Sequence, residues 1–168
     1  MDKFFSWLVF LTLFILSSPS ALAMGNLSEH ATKSLLIGKA APDIVLTKTD
    51  GTSASVIGSR QGQKAILVFW ATWCPHCYED LSGINDSFDS IEKKGIKIIL
   101  VDIAETKEDV KNYFLRRQMK LVSFVDEDSA LQEPYHLIGV PTLIFIDKKG
   151  VIRSVTHDFP SHYEDFFS

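Results

Sequence analysis

At 168 residues, the chain has room for one folded domain and a targeting segment. Its 46% apolar content is that of a globular protein with a core and excludes a disordered chain. A formal net charge of −4 with no basic stripe excludes a nucleic-acid-binding protein.

Lys3 precedes an almost wholly apolar run, Phe4–Leu16, which Ser17, Ser18, Pro19 and Ser20 break. Ala21-Leu22-Ala23 then offers small residues for cleavage, so residues 1–23 read as a secretory signal peptide. The run is short for a bilayer core of about 30 Å. Left uncleaved, it would be an N-terminal membrane anchor. No Cys follows the small residues, which argues against lipid attachment. Export implies the periplasm or another extracytoplasmic space. Residues 24–37 are mixed and polar and read as a flexible lead-in, leaving 38–168 as the folded domain.

Within that domain, Ile44–Thr47 and Ser53–Ile57 are short extended pieces around an Asp50-Gly51 turn, an N-terminal β-hairpin. Ala65–Trp70 is apolar without alternation, as in a strand buried on both faces. Cys77, Leu81, Ile84, Phe88 and Ile91 then form one apolar helical stripe, closed by Lys93, Lys94 and Gly95. Ile96–Ile103 is the next strand, and Thr106 starts a second helix that ends near Arg116 and Arg117. Val122–Val125 reads as a short strand and Ser129–Tyr135 as a short helix. Thr142–Asp147 and Val151–Thr156 flank a turn too short for anything but antiparallel pairing. Ser161–Phe167 reads as a last short helix. The fold class is therefore α/β, with a central mixed sheet and helices on both faces.

The chemistry concentrates in Trp70-Ala71-Thr72-Trp73-Cys74-Pro75-His76-Cys77, between the buried strand and the amphipathic helix. The two cysteines of this run are the only ones in the chain. That rules out a disulfide framework and a four-ligand structural zinc site, so no metal or cofactor is expected. Cys74 falls at the helix start with Pro75 at the first helical position, where a missing N–H costs nothing. Free backbone donors and the positive helix end favour a thiolate at Cys74. Cys77, on the apolar stripe, is the shielded thiol. An exposed Cys74 would attack a client disulfide, and Cys77 would resolve the mixed disulfide. Trp70 and Trp73 are expected to pack around the site.

These residues resemble the thioredoxin superfamily, and more closely its exported TlpA/ResA-type branch. Gly38-Lys39-Ala40-Ala41-Pro42-Asp43 is similar to the branch's opening motif, and Phe69–Cys74 to its active-site strand. Gly139-Val140-Pro141-Thr142 is similar to the superfamily's cis-proline loop. The resemblance covers about residues 37–157 and implies a thioredoxin fold and a monomer acting on protein disulfides and thiols. It implies a reductant, often in cytochrome c maturation, that draws electrons from a membrane thiol partner. Val140 and Pro141 would bind an extended client.

The chain departs from the pattern in its acids and in its dipeptide. Thioredoxin's buried acid, six residues before the first Cys, is replaced by Val68. The branch's Glu three residues after the second Cys becomes Asp80, one methylene shorter, as the acceptor of the Cys77 proton. His76 departs in the other direction. A Pro-His dipeptide is the one used by the oxidant DsbA, about 150 mV more oxidising than thioredoxin. A DsbA-like oxidase is therefore the alternative reading. A peroxidase of the peroxiredoxin type is disfavoured because Ile66 or Leu67 stands where its Pro would be. A Sco-type copper protein is disfavoured because its cysteines are separated by three residues and its loop carries His, whereas two residues separate Cys74 from Cys77, Pro141 fills the loop and His136 falls five residues early. His157 and His162 read as surface histidines. Asp102 and Glu105, at a strand end near the site, have only weak claims.

Overall fold

The computed structural model describes residue 33 and residues 35–168. The expected signal peptide and most of the expected lead-in lie outside the described residues. The lead-in's end is already part of the fold. Leu35 and Leu36 are helical, and Leu36 is buried in the core, so the folded part begins before residue 38.

The strands are β1 (Val45–Lys48), β2 (Ser53–Ser55), β3 (Lys64–Trp70), β4 (Ile96–Ile103), β5 (Ser123–Asp126), β6 (Thr142–Ile146) and β7 (Ile152–Thr156). The helices are α1 (Pro75–Lys93), between β3 and β4, and α2 (Lys107–Arg116), between β4 and β5. The strands form one sheet in the order β2-β1-β5-β4-β3-β6-β7. β3 lies parallel to β4 and antiparallel to β6, so the sheet is mixed as expected.

β3 is buried on both faces, which is why its sequence does not alternate. Ile66, Val68 and Trp70 point into a core shared with Leu81, Ile84 and Ile91 of α1 and Val110 and Phe114 of α2. Ala65, Leu67 and Phe69 point into a second core, covered by Leu36, Val56, Leu131 and Tyr135. Each fully buried large apolar side chain here contributes roughly 1.5–3 kcal/mol.

Three expected elements differ in extent. β2 stops at Ser55 because the Asp43 carboxylate accepts from the Ser55 hydroxyl and the Ile57 amide and draws the chain off the sheet. The expected helix at Ser129–Tyr135 is a run of turns. Asp126 takes the amides of Ala130 and Leu131, and Ser129 and His136 adopt positive φ, which interrupts helical geometry. The tail is a 3-10 turn, Tyr163–Phe167, whose Phe166 and Phe167 rings pack on Phe145. α1 ends as expected, with Gly95 at φ 73 after the last turn.

One buried group stands out electrostatically. Asp102 of β4 is excluded from solvent, and burial, reinforced by nearby Glu105, pushes its pKa up to about 9. The folded chain therefore keeps a proton here that the unfolded chain loses near its ordinary value of 3.8. Between those values the group's contribution to stability falls as pH rises, by up to about 1.4 kcal/mol per pH unit. Asp102→Asn should remove that slope. In thermal unfolding from pH 4 to 9, the variant should gain on the wild type as pH rises. A difference that stays constant with pH would mean that Asp102 is ionised in the folded protein.

Candidate active site

Cys74 caps α1. Its backbone is extended (φ −88°, ψ 111°), Pro75 takes the first helical position, and the Cys77 amide donates to Cys74 Sγ at 3.2 Å. One turn on, Cys77 lies on the buried face. The two are joined in a disulfide, with Cα atoms 5.3 Å apart. Cys77 is fully buried, and Cys74 is only 5% exposed, less open than the sequence suggests. The neighbouring loop covers it: Cys74 Sγ lies 3.5 Å from the Val140 carbonyl oxygen.

That loop carries the cis peptide bond Val140–Pro141. Topology brings it here. β6 runs antiparallel to β3 with Thr142 opposite Phe69, so the residues before β6 meet the residues after β3. The Thr142 hydroxyl donates to the Gly139 carbonyl and closes the loop.

Trp70 packs as expected. It is fully buried against Tyr113 and Phe114, and its indole N–H donates to Ser123 Oγ at 3.0 Å. Trp73 does not pack. It is 69% exposed and presents an apolar surface beside the dithiol. The His76 side chain is 84% exposed, with Nδ1 3.9 Å from the Glu79 carboxylate. Val68, in the place of thioredoxin's acid, is plain core.

Asp80 is half-buried on α1, and Oδ1 accepts from the Phe159 amide at 2.9 Å. Oδ2 is buried without a partner among the described residues. Burial raises its pKa, and the negative charges of Asp158 and Glu79 add to this, while the Phe159 N–H offsets part of it.

Three contacts escaped the sequence reading. Glu105 accepts from both the amide and the hydroxyl of Thr72, at 2.6 and 2.5 Å. Phe159 holds Asp80. His157 is not a surface histidine: its Nδ1 lies 3.0 Å from the Pro141 carbonyl oxygen, and its Nε2 is buried. Glu105 follows directly on a strand ending beside the site, which was a usable signal. The other two partners come from the segment after β7, far away in sequence, and nothing local marks them.

A family model described as the AhpC/TSA family matches residues 37–155. The thiol-disulfide oxidoreductase ResA of Bacillus thuringiensis subsp. konkukian (strain 97-27) is 32% identical over 116 residues. That alignment covers 69% of this chain and 66% of the relative, just under two thirds of its length. Among solved structures, StoA from Bacillus subtilis superposes with a TM-score of 0.64 at 21% identity, over 76% of this chain and 98% of that one. The pneumococcal exposed lipoprotein thioredoxin from Streptococcus pneumoniae strain TIGR4 does so at 0.63 and 26% identity, over 71% and 92%. The family match spans most of the chain on a thioredoxin fold, and the chain therefore belongs to the AhpC/TSA family, as a TlpA/ResA-like member of the thioredoxin superfamily.

Proposed function

We propose that the protein is an exported thiol–disulfide oxidoreductase that reduces disulfides in protein clients through Cys74 and Cys77. The observation that carries this reading is the disulfide at the start of α1, with Cys74 Sγ against the Val140 carbonyl of the cis-proline loop. In the reduced protein, the helix N-terminus and the Cys77 amide stabilise a Cys74 thiolate. It attacks one sulfur of the client disulfide, and the other leaves as a thiolate. Cys77 then loses its proton, attacks Cys74 Sγ and displaces the client sulfur bound to it as thiolate. The enzyme ends oxidised, and a membrane thiol partner returns the electron pair. Val140 and Pro141 offer a backbone edge to an extended client, and exposed Trp73 adds apolar contact.

Several features favour reduction over oxidation. The compact scaffold and the Gly38–Asp43 opening motif resemble those of the reductant branch. The His76 side chain is 84% exposed, 3.9 Å from the Glu79 carboxylate, and solvent weakens any support it gives a thiolate. The peroxidase reading finds no support in β3, where Ile66 and Leu67 pair with Phe145 and Ile144 inside the sheet. A copper site would need a His in the loop that Pro141 occupies. Export rests on the residues 1–23 pattern, and one structural relative is itself an exposed lipoprotein.

Cys74 should be alkylated before Cys77 in the reduced protein at neutral pH, as mass spectrometry of partially labelled protein would show. Faster labelling of Cys77 would reverse the roles.

Asp80→Asn should slow resolution by Cys77 at least tenfold and leave the first attack by Cys74 little changed. Because Asp80's pKa is raised, the wild-type resolving rate should fall as pH drops through it, and the variant should lose that limb. Single-turnover kinetics with identical limbs would assign Asp80 to holding Phe159 only.

Direction is tested by trapping. A Cys77→Ala variant cannot resolve its mixed disulfides, so clients should accumulate on Cys74 in the native envelope. Clients with otherwise stray disulfides, and a wild-type pair found mostly reduced, are expected. A pair found almost wholly oxidised, holding newly secreted proteins on their way to native disulfides, would make the protein an oxidase.

A further inference from the structure

We propose that Glu105, backed by the buried Asp102 carboxyl, is a positioning residue of the dithiol site: it clamps the Thr72 amide and hydroxyl and so fixes the turn that presents Cys74. The inference rests on the reading of Cys74 as the attacking thiol. Both Glu105 oxygens serve as acceptors from Thr72, an arrangement that suits the ionised carboxylate. Thr72 lies in the turn closed by the Cys74 amide on the Ala71 carbonyl, at 3.2 Å. The clamp therefore acts on the link between rigid β3 and the sulfur.

The chain has been bent to put Glu105 there. Ala104, the residue before it, has φ 63°, a left-handed conformation uncommon for alanine. Its amide is held by the Asp126 carbonyl at 3.0 Å, and the Asp126 side chain is in turn bound by Ala130 and Leu131. This braced left-handed turn fixes the point from which Glu105 reaches Thr72.

Asp102 supplies the other half. It pairs with Trp70 across β3 and β4, and the groups that reach its buried oxygens are the side chain and the backbone N–H of Glu105, at contacts longer or more bent than full hydrogen bonds. A second full charge beside Glu105 would repel it from Thr72, so the clamp requires Asp102 to stay protonated. The other titratable groups around the pair are Asp109, whose charge also disfavours ionisation of Asp102, and Tyr113, whose own pKa burial raises. Arg117 lies over the rings of Tyr113 and Tyr78 and lowers that of Tyr113.

The test uses the sign of an effect. Glu105 is a negative charge near Cys74, so charge removal alone would lower the Cys74 pKa. Loss of the clamp moves the sulfur off the helix end and raises it. In the reduced protein, the pH dependence of Cys74 alkylation by iodoacetamide should shift up by at least about half a unit in Glu105→Ala, roughly threefold less thiolate at neutral pH. Glu105→Gln, which keeps the shape, should shift the same way and carries the test if the alanine variant fails to fold. An unchanged or lowered pKa in the folded variants overturns the proposal. Asp102 is tested in the Cys77→Ala background, through attack of Cys74 on a small aromatic disulfide from pH 6 to 10. With native Asp102 the rate should fall by about half or more above pH 9, as the second charge appears. Asp102→Asn should show no such fall, and an identical fall would assign it to Tyr113 and remove Asp102 from the pair. Alkylation needs no client, so a wild type that reduces no protein disulfide would overturn the proposed function and leave the Cys74 comparison standing.

Discussion

Everything at the dithiol depends on β3 being buried on both faces. A strand with no solvent-facing side can neither shift register nor twist away without opening two cores at once. β4 and β6 hold it by hydrogen bonds on either edge. Its last residue, Trp70, is pinned by an indole bond to Ser123 and by the rings of Tyr113 and Phe114. Four residues later the chain reaches Cys74. So short a tether from so rigid an anchor gives the sulfur one place to be, at the N-terminus of α1, where unpaired amides and the helix dipole favour negative charge by about 0.3–1 kcal/mol or more.

The same sheet delivers the opposing wall. Because β6 is antiparallel to β3, the loop before it arrives at the end of the sheet where β3 finishes. β7 pairs with β6 and returns to this end, so His157 falls against the Pro141 carbonyl and Phe159 against Asp80. The segment after β7 thus ties the cysteine helix to the proline loop by two hydrogen bonds. A client strand laid along Val140 would lie between groups that this segment keeps at fixed separation.

The carboxyl groups around the dithiol divide by environment. Asp80 is half-buried with one backbone donor, so its pKa is raised but it can still exchange a proton. Asp102 has burial and the Glu105 charge against it, which outweigh the Glu105 N–H, and it stays neutral at physiological pH. Glu105 has two donors from Thr72, which suit its charged form. Burial, the largest cause at both Asp80 and Asp102, keeps these two acids from crowding the region with charge. The helix end can then favour the thiolate without a cluster of negative charges beside it.

Much of this was legible along the chain. Continuous apolarity marked β3 as buried on both faces, and the three-four spacing from Cys77 to Ile91 marked α1 and its inward cysteine. Pro75 and Gly95 marked that helix's ends, and the order of the three motifs marked the fold. These features are local, and local physics decides them: a period, a cap, a residue without an N–H. The sequence also placed Asp80 beside the stripe of Cys77, but did not reveal that Phe159 would occupy one of its oxygens. It left Trp73 and His157 on the wrong sides of the surface. Trp73 stays 69% exposed beside the dithiol. His157 is drawn inward because antiparallel pairing carries the end of β7 back to Pro141. The neutrality of Asp102, the grip of Glu105 on Thr72 and the shielding of Cys74 belong to the tertiary structure alone. Each depends on which groups meet across elements distant in sequence, and hydrogen bonding and desolvation are set by those neighbours rather than by residue type or spacing.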